Sequence, residues 1–471
     1  MVKNFYITTT LPYINDSPHL GFAMEIVRAD AVARFYRLLG YHVFFNTGTD
    51  EHGLKIYQSA LAKKKDPQKF CDEQSKKFKA LKTILNLSFN RFIRTTDKEH
   101  IRAAQEFWQR CFKKGDIYKA KYKIKYCVGC ELEKTESELV NDYCPLHPNK
   151  KIEIIEEENY FFRFSKYQKA LLNLYETNKL FIIPDFRLKE LKSFVAQGLK
   201  DFSISRLREK LPWGIPVPND ESQVMYVWFD ALINYISTLG WPEDQKKFNQ
   251  FWPGIQIAGK DNLRQQGAMW QAMLLSAGLP TSKKIFVEGF ITFEGKKMSK
   301  SLGNFIDPFS LVKKFGTDPV RYYLLREIPP FNDGDFSEKR MKEIYTAELA
   351  NELGNLIMRI TKLAQIDNLF LNQSPKIKIS DEIIDLIKYF QFNLILEFIW
   401  KKIKKLNQKI DTFSPWKKKP VERRNFLLKS LEEINQIAKE LLPFLPTTAQ
   451  IIIDSSQGKI KKIEPLFPKL K

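Results

Sequence analysis

Phe5-Tyr-Ile-Thr-Thr-Thr10, Leu11-Pro-Tyr13 and Asn15-Asp-Ser-Pro-His-Leu-Gly-Phe22 follow one another near the N-terminus, and their reading decides the fold. The first is a β-rich run, the second a Pro-containing bend, and the third a polar turn opening a helical pattern. That pattern runs from near His19 to about Leu39, where Gly40 stops it as a C-terminal cap. A second apolar run, Val43-Phe-Phe45, leads into Thr47-Gly-Thr-Asp-Glu-His-Gly53. Strand, loop, helix and strand in this order begin a βαβ unit, so a parallel sheet is expected. Ligands of such sheets bind beyond the carboxyl ends of the strands. His19, at the helix start, and Asp50, after the second strand, both fall there. A helix N-terminus offers unpaired N–H groups and partial positive charge, which suit phosphate. Alone, His19 would pass for a structural histidine, and Asp50 to His52 for an ordinary polar turn.

A second chemical stretch lies far along the chain: Gly295-Lys-Lys-Met-Ser-Lys-Ser-Leu-Gly-Asn304. A strand, Ile285-Phe-Val-Glu288, precedes it and a Pro-opened helix begins at Asp307-Pro308. Glycines let backbone approach a ligand, lysines bring mobile charge and serines bring hydroxyl donors. By itself this is a solvated basic loop; paired with the N-terminal stretch it suits a polyphosphate.

Between the two, residues 54–112 read as two or three amphipathic helices. Then come Cys127-Val-Gly-Cys130 and Cys144-Pro-Leu-His147. Two paired ligands at each end of a short loop can close a tetrahedral shell around one zinc ion, which would be structural because no position is left open. The Pro-rich Leu211-Pro-Trp-Gly-Ile-Pro-Val-Pro218 reads as the return from an inserted domain. Val224-Met-Tyr-Val-Trp-Phe-Asp230 is strand into helix; Trp228, Ala231, Leu232 and Tyr235 share helical spacing, usually the mark of core. Ile255-Gln-Ile-Ala258 is a further strand, followed by Gly259-Lys-Asp261. Pro329-Pro330 and Asn332-Asp-Gly-Asp335 mark a break, and from about Tyr345 a helical bundle is expected. Lys401 to Lys429 holds eleven basic and two acidic residues, with Trp400 and Trp416 nearby, a pairing that suits unstacked RNA bases as well as a solvated face.

Composition agrees. A chain of 471 residues is too long for one core. Its formal charge of +21 favours a polyanionic partner. No apolar run reaches the roughly 18 residues of a membrane span, and no signal or leader pattern is present, so a cytoplasmic location is expected. Of five cysteines, three fall between Cys127 and Cys144, which argues for a metal site over disulfides.

With these residues in hand, the chain resembles the class I aminoacyl-tRNA synthetases, and among them the methionyl-tRNA synthetases of the bacterial single-zinc type. His19-Leu-Gly-Phe22 corresponds to the HIGH motif and Lys297-Met-Ser-Lys-Ser301 to KMSKS. Thr10-Leu-Pro-Tyr13 and Tyr226-Val-Trp-Phe-Asp-Ala231 look like that family's methionine-pocket segments. Ala350-Asn-Glu-Leu-Gly-Asn-Leu356 through Arg359, with Ser414-Pro-Trp416, look like its anticodon-reading elements. Departures are Phe22 at the last HIGH position, Leu232 where proline is common, and Gln265-Gln266 and Met269 where relatives carry aromatic-His and an aromatic residue.

The resemblance implies a Rossmann-like parallel α/β sheet split by a zinc-binding connective insert and followed by an all-α anticodon-binding bundle. The boundaries expected are 1–114 and 221–296 for the halves of the catalytic domain and 115–220 for the insert. A KMSKS and stem-contact region over 297–345 and an anticodon domain over 346–471 would follow. It implies a methionine–tRNA ligase that forms methionyl-adenylate from L-methionine and ATP, with Mg²⁺, and charges tRNA(Met) for initiation and elongation. His19, Lys297 and Lys300 would be catalytic. Gly21, Asp261 and Ser299 would join them in binding ATP. Leu11, Tyr13, Asp50, Trp228, Ala231 and Tyr235 would bind methionine. Cys127, Cys130, Cys144 and His147 would hold zinc. Asn355, Arg359 and Trp416 would read the anticodon. The chain ends soon after the bundle, which points to a monomer. Competing expectations are a leucyl or cysteinyl enzyme, a small-molecule nucleotidyltransferase on the same scaffold, and a non-catalytic zinc-knuckle RNA-binding protein.

Overall fold

The computed structural model describes residues 2–130, 132–134, 139–297, 305–372 and 379–470. The chain forms two compact units that do not follow its order. One gathers 1–18, 42–80 and 89–287; the other gathers 19–41, 81–88 and 288–471.

The first unit contains a six-stranded sheet. In chain order its strands are β1 (Asn4–Thr8), β2 (His42–Thr49), β3 (Arg91–Arg94), β4 (Ile182–Ile183), β5 (Ile255–Gly259) and β6 (Lys284–Glu288). Across the sheet they run β3-β2-β1-β5-β6-β4. The pairs β3–β2, β2–β1, β1–β5 and β6–β4 are parallel, with Tyr6 opposite Phe44 and Ile7 opposite Ile255. The expected parallel sheet is therefore present. The chain leaves β1 toward β2 on one side and returns to β5 on the other, so the switch point lies between β1 and β5. Two strands differ from the expectation. Arg91-Phe-Ile-Arg94 sits at an edge, where two apolar residues flanked by arginines suffice and no longer apolar run is needed. Ile182–Ile183 is two residues long and forms the opposite edge from within the segment 115–220.

Beside the sheet lies an aromatic core that includes Phe107, Trp108, Tyr235, Trp241, Trp252 and Trp270. Phe107 stacks on Trp270 at 5.6 Å, and Tyr235 meets the same indole at 5.9 Å. Burying such rings contributes about 1.5–3 kcal/mol each. The segment after Gly115 forms a long antiparallel ladder, Ile117–Cys127 against Glu153–Phe162. Lysines and glutamates face each other along it, Lys121 opposite Glu158 and Lys123 opposite Glu156.

In the second unit the helix α1 (Leu20–Leu38) is buried nearly all round, including Arg28 and Asp30. Gly40 ends it as expected: Gly40 N–H donates to Arg37 O and Tyr41 N–H to Tyr36 O. Arg28 donates to Glu288 at 3.0 Å and to the carbonyls of Ile328 and Pro329. Asp30 meets Arg34 at 2.7 Å and Arg321 at 2.9 Å, and accepts from Ser88. Most of the unit's remaining described residues are helical, with α2 (Asn355–Ile366), α3 (Phe392–Phe413) and α4 (Pro420–Leu441) as the long members and a few short strands between them.

Candidate active site and metal knuckle

The loops leaving the carboxyl ends of β1, β2 and β5 carry Leu11, Tyr13, Asp50 and Asp261, as the switch-point rule expects. Tyr13 and Asp50 pair through an isolated parallel bridge, and Asp50 N–H donates to Pro12 O at 3.0 Å. Asp50 is buried, whereas Asp261 is exposed on a short helical turn directly after β5.

The turn holding Asp50 is fixed by its neighbours. Glu51 is buried and accepts both guanidinium arms of Arg94 at 2.7 Å, along with the hydroxyls of Thr49 and Thr96. The Trp213 indole N–H donates to Glu51 O at 2.6 Å. His52 Nδ1 lies 2.6 Å from one oxygen of Asp230, and His100 Nε2 lies 2.7 Å from the other. Burial opposes ionisation of Asp230, yet the two imidazoles outweigh it and hold its carboxyl below the ordinary aspartate range. Sequence reasoning missed this buried His–Asp–His bridge. It ties the Asp50 turn to the helix Val227–Leu232, which carries Trp228 and Ala231.

The helical stripe divides. Trp228 is half-buried, and its indole N–H has no hydrogen-bond partner among the described residues. Ala231 is 7% exposed, while Leu232 and Tyr235 belong to the aromatic core. Gln265 and Gln266 are buried in a π-helical turn, Gln265–Met269.

His19 and Lys297 belong to the second unit. His19 caps α1: its Nδ1 accepts from Gly21 N–H at 3.0 Å and from Phe22 N–H at 3.4 Å. The neutral ring therefore carries its proton on Nε2, which makes that nitrogen a donor. Gly21 is required by close approach, since a Cβ there would lie 2.9 Å from His19 Cε1. Lys297 is in a short strand, Lys296–Lys297, paired with Ile291–Phe293. Residues 298–304, with Ser299 and Lys300, lie outside the described residues.

Cys127, Cys130, Cys144 and His147 offer ligand atoms all within 4.8 Å of one another. Cys130 Sγ is 3.4 Å from Cys144 Sγ and 3.2 Å from His147 Nδ1. A tetrahedral zinc ion with Zn–S of about 2.3 Å places its sulfurs about 3.8 Å apart, close to the separations here, so the donor set fits one metal ion. Gly129 lets the histidine in, because a Cβ would stand 2.4 Å from the His147 ring. The knuckle does not stand apart. Tyr126 and Val128 pack on Leu54, just past the Asp50 turn. The Arg206 guanidinium lies 5.3 Å from the Tyr126 ring and 4.4 Å from the Tyr226 ring.

In the helical region Asn355 and Arg359 sit one turn apart on α2. Asn355 is exposed. Arg359 lies 5.4 Å from the ring of Trp416, which is 48% exposed, and 2.6 Å from Asp411.

Comparison with known proteins shows the family of the chain. A family model described as "tRNA synthetases class I (M)" matches residues 5–151 and 133–361. The methionine–tRNA ligase of Rickettsia conorii is 41% identical over all of this chain and 96% of its own length. That of Thermotoga maritima is 42% identical over 95% of this chain and 74% of its own. Mycobacterium tuberculosis methionyl-tRNA synthetase in complex with methionyl-adenylate superposes with a TM-score of 0.92 at 36% identity, covering 99% of this chain and 100% of the other. The chain belongs to the methionine–tRNA ligase family of class I tRNA synthetases.

Proposed function

We propose that the methionine–tRNA ligase activity of this chain is carried by the residues named above, in the following roles. The enzyme activates L-methionine with ATP to methionyl-adenylate, releases pyrophosphate, and transfers methionine to the 3′ end of tRNA(Met). The observation that carries the residue-level reading is the His52–Asp230 contact, because it joins the Asp50 turn to the helix of Trp228. Asp50 takes the substrate ammonium as a charge-assisted partner. Leu11, Tyr13, Trp228 and Ala231 enclose the thioether, with Tyr235 behind them on the core side; sulfur packs favourably on aromatic edges. Asp261 meets the ribose hydroxyls.

The methionine carboxylate attacks the α-phosphorus in line. It is already anionic, so no strong general base is needed, and catalysis is positioning and charge stabilisation. ATP enters as its Mg²⁺ complex, the ion being part of the substrate. His19 donates from Nε2 to the phosphates while Gly21 leaves room for its ring. Lys297, Ser299 and Lys300 meet the charge that develops on pyrophosphate. Phe22 supplies no second imidazole, so more of that charge falls to His19 and the lysines.

Cys127, Cys130, Cys144 and His147 hold one structural zinc ion. Zinc, when bound, closes the two ends of the insert loop into one rigid knuckle. Asn355 and Arg359 read anticodon base edges and Trp416 stacks one base. The reading takes the enzyme to be a cytoplasmic monomer; among the described residues no helix is long and apolar enough to cross a membrane. ATP–pyrophosphate exchange with each amino acid in turn tests the whole. Methionine alone should drive it, and exchange driven equally by another amino acid would refute the assignment.

A further inference from the structure

The break Asn332-Asp-Gly-Asp335 has no part in the roles above, yet it is built into the base of the loop that carries Lys297. Gly334–Phe336 forms a parallel strand beside Ile291–Phe293, which pairs on its other side with Lys296–Lys297. The turn between the last two is Glu294-Gly295, both at positive φ (52° and 71°), the conformation of a tight hairpin. One carboxylate oxygen governs that turn: Asp335 Oδ1 accepts from Gly295 N–H at 2.9 Å and from the Thr292 hydroxyl at 2.7 Å. Asp333 acts one step earlier, with Oδ1 accepting from Phe290 N–H at 2.9 Å, and Gly334 N–H donates back to Phe290 O. Downstream, Ile306 O accepts from Leu20 N–H at 3.2 Å, at the start of the helix that His19 caps. Upstream, Glu288 is held by Arg28 of the same helix.

We infer that Asp335 is a positioning residue for adenylate formation, fixing the hairpin from which Lys297 meets the phosphates of ATP. It acts through two backbone-proximal hydrogen bonds and not through its charge. Asp335 lies on the surface, so little core depends on it. The inference rests on the proposed phosphate role of Lys297 and is tested beside it.

The test is methionine-dependent ATP–pyrophosphate exchange, without tRNA, on the full-length enzyme. Asp335→Ala should lower kcat/KM for ATP by about tenfold to a hundredfold, the cost of a small misplacement of a reacting group. The KM for methionine should stay within about twofold. Asp335→Asn keeps the acceptor oxygen and should restore most of the loss. Thr292→Val keeps the shape but removes one of the two bonds to Asp335, along with a longer one of 3.4 Å to Gly334 O, and should give a smaller loss confined to ATP, which covers the case of Asp335→Ala failing to fold. If Asp335→Asn is as poor as Asp335→Ala, the charge itself is used and the inference is wrong. It is also wrong if methionine KM rises in step with ATP KM, or if Asp335→Ala is normal while Lys297→Ala is impaired. A normal Lys297→Ala enzyme would instead refute the phosphate reading on which the inference stands.

Discussion

His19 is tied to its own helix by one nitrogen, and this decides what the other can do. With Nδ1 accepting from Gly21 and Phe22, the ring is oriented before any nucleotide arrives. Gly21→Ala should therefore act on His19 and leave the fold alone. The added methyl would fall 2.9–3.0 Å from ring atoms and turn the imidazole away. The expected loss is about tenfold to a hundredfold in pyrophosphate exchange, with the melting temperature unchanged, and both are read on one preparation. Asp230 offers the opposite case. It is wholly buried between His52 and His100, so Asp230→Asn puts an amide where one imidazole needs an acceptor. A cost of about 2–5 kcal/mol in denaturant unfolding is expected, with a raised KM for methionine in whatever folds. The place of His19 at a helix start was legible in the sequence because helix starts carry local signals. The Asp230 bridge was not, since its partners lie 178 and 130 positions away and follow no period.

Among the elements, the Cys/His knuckle and the central strands were readable for different reasons. Cys-x2-Cys and Cys-x2-His state their chemistry in their spacing, and β1, β2, β5 and β6 announce themselves as apolar runs in a buried sheet. The edge strands Arg91–Arg94 and Ile182–Ile183 were hidden, one by its charges and one by its brevity. Nor does the sequence reveal that 19–41 and 81–88 cluster with 288–471, since the contacts that gather them are far apart in the chain and follow no local period. What the knuckle touches was also invisible. Arg206 lies over both Tyr126 of the knuckle strand and Tyr226 of the proposed pocket segment, and Leu54 follows the Asp50 turn. If the knuckle holds zinc, its loss should therefore reach the proposed methionine site. Cys130→Ser should lower bound zinc, measured by metal analysis, and raise the KM for methionine more than the KM for ATP. Unchanged methionine KM in a zinc-free variant would show that the knuckle is mechanically separate.

Across the whole molecule, charge works in two ways. Inside the second unit it is locked: Asp30 is fully buried, and although burial disfavours its charge, Arg321 and Arg34 hold its carboxyl below the ordinary aspartate range. A depressed folded pKa adds stability that is complete above the unfolded value of about 3.9 and is lost as pH falls through the folded one. Thermal unfolding should thus show an acid-sensitive loss that is shallower in Asp30→Asn, itself weaker at neutral pH. Outside, the net charge of +21 provides affinity for RNA that falls with salt. Trp416 separates the charge-driven share from recognition. It is exposed and its cation–π contact with Arg359 is at the surface, so Trp416→Ala should cost the fold no more than about 1 kcal/mol. If it stacks a base, its loss removes about 1–3 kcal/mol of RNA binding, a fall of roughly fivefold to a hundredfold in charging at limiting tRNA. Pyrophosphate exchange should be untouched, and so should the salt slope of tRNA binding, because no charge is removed. Arg359→Ala should instead flatten that slope by about 0.7 if the guanidinium neutralises a phosphate, and leave it unchanged if it reads a base edge. Equal loss of exchange and charging in Trp416→Ala would mark the tryptophan as structural.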